Sequence, residues 1–154
     1  MDAILTRVTD ARYSTTASAS GELGADQSCS VQTGRALVEA GLHPATGGSG
    51  SFACSGDMLL KALVACAGVT MMAVATSLGL EVAGTVHADG DLDFRGTLAV
   101  DRDAPVGFSA IRLRFDLDTT ATEDEVATLL KLTERYCVVF QTLRTPPTLD
   151  ATVV

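Results

Sequence analysis

Residues 58–80 constrain the fold more than any other part of the chain, because they are almost entirely apolar and Lys61 is their only charge before Gly79. A run of this length could span a bilayer. Acidic residues, Asp57 and Glu81, flank both ends, and no excess of cations marks one side as cytoplasmic. A helix that is apolar on every side is also typical of the centre of a globular domain. We therefore predict a long buried helix and no membrane span.

The composition indicates one globular domain over residues 1–154, a usual single-domain length. The formal net charge is -8, and the 11 Lys and Arg residues form no basic run. A nucleic-acid binder needs clustered cations to displace counterions from phosphates, so nucleic acid is excluded as a partner, and anionic membrane surfaces with it. The first residues lack the long apolar core of a secretory signal, and we expect a cytoplasmic protein with reduced thiols.

Sequence patterns before the apolar segment predict strands at residues 12–20 and 27–32, joined by a turn at 21–24. Residues 34–38 fit a third strand or a short helix, and the Gly-rich residues 43–51 fit a loop. Ser55 is the predicted N-cap of the long helix, and Gly79 is its predicted end.

After the long helix, two strands are predicted at residues 81–88 and 92–100, around a turn at 89–91. Residues 109–117 alternate apolar and charged side chains, the clearest strand pattern in the chain. Thr122 and Glu125 form a capping-box pattern for a second helix that runs to about Cys137. A short link and a last strand at 149–154 complete the prediction. Runs of consecutive strands between helices favour an α+β fold.

Two cysteines are the candidate reactive residues. Cys66 lies in the middle of the long apolar helix, where a lone cysteine is usually a packing residue. Cys137 ends the second helix among charged neighbours, a better place for a reactive thiol. If the two helices pack together, the sulfur atoms can meet, and a dithiol in a reducing compartment suggests redox cycling.

The other residues whose side chains could take part in chemistry are interpreted as structural. Cys29 and Cys54 are expected to pack, and His43 and His87 lack the spacing of a zinc site. Residues 47–50 are glycine-rich but are not followed by the lysine of a phosphate-binding loop. We therefore predict no metal and no cofactor.

Three stretches of the sequence resemble the family of OsmC and the organic hydroperoxide resistance proteins. Gly34-Arg35 and residues 44–48 (PATGG) are similar to the strand and loop before that family's central helix. Residues 55–66 (SGDMLLKALVAC) are similar to its S-P-x-E-L-L-L-A-A-L-x-A-C motif, and residues 137–143 (CVVFQTL) to its C-P-V-x-x-x-L motif. The resemblance implies a two-layer α+β fold, with antiparallel sheets around a long central buried helix, and an intertwined homodimer.

The resemblance also implies a thiol peroxidase that reduces organic hydroperoxides. Cys66 takes the place of the attacking thiol, which becomes a sulfenic acid, and Cys137 that of the resolving thiol, which closes a disulfide. An external dithiol, for instance of the lipoyl type, would reopen that bond. The family places an arginine near the attacking thiol, and Arg35 is the candidate here, with Arg12 second.

Asp57 occupies the family's acidic position, nine residues before Cys66. On a helix that separation puts the two on opposite faces, about 13 Å apart along the axis. We expect Asp57 to serve the helix N-terminus or to orient an arginine. Apolar residues are expected to line the substrate pocket: Leu63, Met71, Met72 and Phe140.

One alternative stays open, an OsmC-like protein that binds a small apolar or electrophilic ligand without peroxidase turnover. Gly56 and Val138 stand where the family motifs have proline, and the activating arginine has no secure match. Retention of both cysteines favours the enzyme.

Overall fold

The computed structural model describes residues 14–24, 28–31, 43–47, 50 and 54–153. Four strands form one antiparallel sheet in the order β2-β1-β3-β4: β1 (Ser14–Gly24), β2 (Ser28–Val31), β3 (Val82–Asp93) and β4 (Phe108–Thr119). Four α-helices accompany a 3-10 turn at Pro44–Thr46: α1 (Ser55–Leu78), α2 (Phe94–Thr97), α3 (Glu123–Tyr136) and α4 (Val138–Arg144). The predicted mixed α+β class with an antiparallel sheet is confirmed.

Helix α1 starts one residue earlier than its predicted cap implies. Cys54 is the N-cap, in an extended conformation without a side-chain cap bond, and Ser55 is already helical, so the assignment of Ser55 as the cap is wrong. The predicted end is confirmed. Gly79 takes a left-handed φ of 69°, which glycine adopts without steric cost, and its amide donates to the carbonyls of Ala75 and Thr76.

One face of α1 is buried against the rest of the chain, with Leu60, Val64, Ala67 and Met71 all fully inaccessible. Another face, which includes Val69 at 42% exposure, is open within the described residues. By length and hydropathy α1 is the one helix in the described part of the chain that could cross a membrane, and 44% of its most apolar window is buried. Core helices of globular domains have the same length and hydropathy.

Strand β3 is continuous where a turn was predicted at residues 89–91. Gly90 pairs with Ala17 of β1 on one side and with Ile111 of β4 on the other. A Cβ atom at Gly90 would lie 2.5 Å from the ring of Phe108, so this glycine makes room for an aromatic ring and does not turn the chain. The predicted strand at 92–100 is also wrong, because Asp93 accepts a hydrogen bond from the amide of Arg95 and caps α2.

Strand β4 confirms the alternation seen in the sequence. Its apolar side chains are half-buried towards the helices, whereas Arg112, Arg114 and Asp116 are exposed. At the other edge, the turn predicted at 21–24 is wrong, because β1 runs on through Gly24, which pairs with Ser28 of β2. Residues 34–38 lie outside the described residues.

The C-terminal part confirms one prediction and corrects two. The capping box forms, with the amide of Glu125 donating to the Thr122 hydroxyl and the amide of Thr122 donating to the Glu125 carboxylate. The predicted link after Cys137 is instead helix α4. Residues 149–153 form no strand, so that prediction is wrong for the residues described.

Candidate functional site

The two candidate thiols meet where α1 packs against the junction of α3 and α4. Cys66 is half-buried on α1, whereas Cys137 is only 1% exposed. Cys137 belongs to a buried cluster with Leu63, Val64 and Ala67, and Cys66 packs against that cluster. The sulfurs were predicted to meet if the two helices pack together, and the structure shows that packing.

Cys137 holds its position because it closes one helix and opens the next. Its extended backbone (φ -71°, ψ 109°) ends α3, and its amide donates to the carbonyl of Thr133 at 2.9 Å. Its Sγ accepts from the amide of Phe140 at 3.5 Å, so the thiol is the side-chain cap of α4. These bonds fix the direction of the Cys137 thiol towards α1.

The Cys66 thiol accepts hydrogen bonds from several groups at once. Burial is the largest influence and raises the pKa of Cys66, but hydrogen bonds from the Val139 amide, the Cys137 thiol, the Val138 amide and the Thr70 hydroxyl lower it. The hydrogen bonds outweigh burial, and the pKa of Cys66 lies below its usual value. The amides of Val138 and Val139 belong to the first turn of α4, where amides have no partner within the helix. Cys66 supplies a partner for them.

The pKa of Cys137 is displaced in the opposite direction, above its usual value. Burial, together with the interaction with Cys66, raises the pKa of Cys137 to about 11, although the amides of Phe140 and Val139 lower it. Of the pair, Cys66 therefore ionises first, and Cys137 remains a proton donor to the Cys66 thiolate. A thiolate is the nucleophilic form of cysteine, so the structure makes Cys66 the more nucleophilic of the two sulfurs near neutral pH.

The remaining predicted site residues lie elsewhere. Asp57 is half-buried in the first turn of α1, the position in which a carboxylate complements the helix dipole. Nine residues of helix separate it from Cys66, and it is not among the groups that shift the pKa of Cys66. Arg35 and Arg12 fall outside the described residues. Cys54 is at the N-cap of α1, and Cys29 is in β2.

The arginines of the sheet side are engaged with aspartates. Arg95 pairs with Asp93, and Arg112 pairs with Asp91, both at 2.6 Å. Within the described ranges, no group of three or more His, Cys, Asp or Glu side chains is arranged to hold a metal ion.

The apolar residues expected around the thiols divide between two clusters. Leu63 and Phe140 lie in the cluster that contains Cys137, whereas Met71 belongs to a second cluster with Leu129. Thr70 and the amides of Val138 and Val139 were missed from the sequence. Thr70 follows Cys66 by one helical turn, and that spacing is the signal that could have indicated it.

Comparisons with known proteins match this chain to one protein family, in sequence and in fold. A sequence model of the OsmC-like protein family matches residues 48–152, which include α1, the sheet strands β3 and β4, and both thiols. The crystal structure of an OsmC-like protein from Mycoplasma pneumoniae is similar at a TM-score of 0.58, over 90% of this chain and 91% of that one. The two are 17% identical, so this likeness shows the fold alone. No curated protein matches the sequence.

Proposed function

The chain belongs to the OsmC-like protein family, and we propose that it reduces organic hydroperoxides, with Cys66 as the attacking thiol and Cys137 as the resolving thiol. One observation carries the proposal: Cys66 packs against the buried cluster that contains Cys137, and the two thiols displace each other's pKa values in opposite directions. A peroxidase of this kind needs one ionised sulfur to attack and a second thiol within reach to resolve.

The reaction has two steps on the protein. The Cys66 thiolate attacks the terminal oxygen of the hydroperoxide, the O–O bond breaks, and the alcohol leaves with a proton, so that Cys66 becomes a sulfenic acid. The Cys137 sulfur then attacks the Cys66 sulfur, an S–S bond forms, and water leaves. An external dithiol reduces this disulfide through a mixed disulfide and is itself oxidised.

Main-chain amides supply part of the electrostatic support for the first step. The amides of Val138 and Val139 point at Cys66 from the start of α4, and they favour negative charge on its sulfur. The half-buried position of Cys66 beside an apolar cluster favours hydroperoxides with a hydrocarbon group over hydrogen peroxide.

Arg35 remains the proposed activating cation. If its guanidinium reaches Cys66, Arg35→Ala should raise the pKa of the thiol and slow its alkylation near neutral pH. The conservative Arg35→Lys variant should recover part of the rate. Unchanged alkylation in Arg35→Ala at every pH would remove this residue from the site.

We also propose that the protein acts as a homodimer in the cytoplasm. The exposed apolar residues of α1 support the dimer, because Met58, Leu59 and Val69 are 38%, 38% and 42% exposed, and exposed apolar side chains favour association. Sedimentation at micromolar concentration should give the mass of a dimer. A monomer would contradict this part of the proposal.

The direct test is a titration of free thiols before and after one equivalent of cumene hydroperoxide. The peroxidase should lose about two thiols per chain, because both are consumed in one disulfide. Cys66→Ser should lose none. A protein that only binds a ligand in the same cleft would keep all its thiols, and that result would replace the enzyme with the alternative.

A further inference from the structure

A cleft of about 520 Å³ lies between α3 and α4, the two helices that Cys137 joins. Three cations and one carboxylate line it, with three uncharged residues: Lys131, Arg135, Arg144, Glu134, Leu132, Tyr136 and Gln141. Gln141 donates from its side chain to the main-chain carbonyl of Glu134 at 2.7 Å, and this bond ties the two helices together across the cleft. We call this feature the basic cleft.

The cations of the basic cleft differ from the arginines of α2 and β4 in their pairing. Arg95, Arg112 and Arg114 each form an ion pair with an aspartate. In the part of the chain that the structure describes, no carboxylate lies within ion-pair distance of Lys131, Arg135 or Arg144. The chain has a formal net charge of -8, so a cleft lined by three cations and one carboxylate, Glu134, is a local exception.

Exposed apolar and aromatic side chains continue this surface to the resolving thiol. Tyr136 is 59% exposed and Val138 is 71% exposed, and they flank the buried Cys137 in sequence. The guanidinium of Arg135 lies 5.7 Å from the Tyr136 ring centre. Helix α4 rises by about 1.5 Å per residue, so Arg144 is within about 10 Å of Val138 along its axis. A partner held in the basic cleft would therefore stand near the junction of α3 and α4, where Cys137 lies.

We propose that the basic cleft docks an acidic surface on the protein that supplies the reducing dithiol. This inference rests on the proposed function, since it concerns the step that reopens the Cys66–Cys137 disulfide. Arginine and tyrosine are the side chains enriched at protein interfaces, and the flanking Val138 adds exposed apolar area. Because the chain is acidic elsewhere, it repels an acidic partner except here, and the cleft directs the encounter to the thiols.

The docked step balances in electrons and protons. One thiolate of the partner attacks a sulfur of the disulfide, the S–S bond breaks, and a mixed disulfide forms. The partner's second thiolate then attacks the mixed disulfide. The partner leaves with its own disulfide, and Cys66 and Cys137 regain their protons and two electrons.

The test uses two synthetic peptides that carry the same dithiol, one between runs of aspartate and the other between runs of asparagine. The variant is Arg135→Gln with Arg144→Gln, and the matched control is Arg112→Gln with Arg114→Gln, which removes the same charge from the sheet. Binding of each fluorescently labelled peptide to the reduced protein is followed by anisotropy. The rate at which each peptide reduces the disulfide is measured after oxidation.

We expect the acidic peptide to bind more tightly and to react faster than the neutral one, and both advantages to fall with added salt. The cleft variant should lose at least about fivefold in both measurements with the acidic peptide only, whereas the sheet variant should not. Equal behaviour of the two peptides, or equal losses in both variants, would overturn the proposal. Binding requires no peroxide, so a failure of disulfide formation with cumene hydroperoxide counts against the proposed function alone.

Discussion

Cys66 packs against the buried cluster that contains Cys137, and each thiol changes the acidity of the other. Cys137 stabilises negative charge on Cys66, which lowers the pKa of Cys66. The same interaction, added to burial, raises the pKa of Cys137 to about 11. The asymmetry between attacking and resolving roles therefore follows from the fold around the pair.

The first prediction is the pH dependence of alkylation. A lowered pKa means that Cys66 becomes a thiolate at lower pH than an ordinary cysteine, so iodoacetamide should modify it first as the pH rises. Cys137 should resist until the pH approaches about 11. Mass spectrometry of peptides after timed labelling measures both profiles. Faster labelling of Cys137 at neutral pH would contradict the assignment of roles.

The second prediction concerns the amide of Val138, which donates to Cys66. Val138→Pro removes this donor and should raise the pKa of Cys66 towards that of an ordinary cysteine. The variant should fold, because proline is favoured at the first helical position, the extended Cys137 suits a following proline, and the Val138 side chain is 71% exposed.

Val138→Ala is the matched control, because it also replaces the exposed valine side chain but keeps the amide N–H. Its alkylation profile should follow that of the wild type. A shift of equal size in both variants would show that the amide is not the cause.

The third prediction separates the two thiols in catalysis. Cys137→Ser should consume about one equivalent of cumene hydroperoxide and then stop, with Cys66 oxidised further to a sulfinic acid. Cys54→Ser should keep full turnover, since Cys54 serves as the N-cap of α1 without a side-chain bond. Both variants are assayed for peroxide consumption and for the mass of the intact chain. Full turnover in Cys137→Ser would point to a mechanism with one cysteine.

The fourth prediction is a test of the fold at β3. Gly90→Ala places a methyl group against the ring of Phe108, and we expect a loss of about 1–3 kcal/mol in the free energy of unfolding. A Cβ atom at Gly107 meets nothing within 4 Å, so Gly107→Ala should change stability by less than about 0.5 kcal/mol. Urea denaturation compares them. Equal stability of the two variants would contradict the packing of Phe108 on β3.

Local patterns predicted those elements whose causes are local. The capping box at Thr122 and the alternation along β4 depend on neighbouring residues, and both are confirmed. Gly90 was read as a turn because its partner, the Phe108 ring, is distant in sequence. Helix α4 was missed because seven residues carry little periodicity and its cap is a cysteine thiol.

At the site, too, the residue types could be predicted from the sequence, but the contacts between distant segments could not. Both thiols could be identified from the sequence, but the amides that bond Cys66 come from α4, which the sequence did not predict. Their contribution could not be anticipated, because a main-chain donor leaves no mark on residue type.

The most direct test of the account is a peptide map of the protein after one equivalent of cumene hydroperoxide, without added reductant. The account predicts one new disulfide, between Cys66 and Cys137, which interact where α1 packs against the junction of α3 and α4. A link between Cys54 and Cys66, or a map in which every cysteine remains a free thiol, would contradict it.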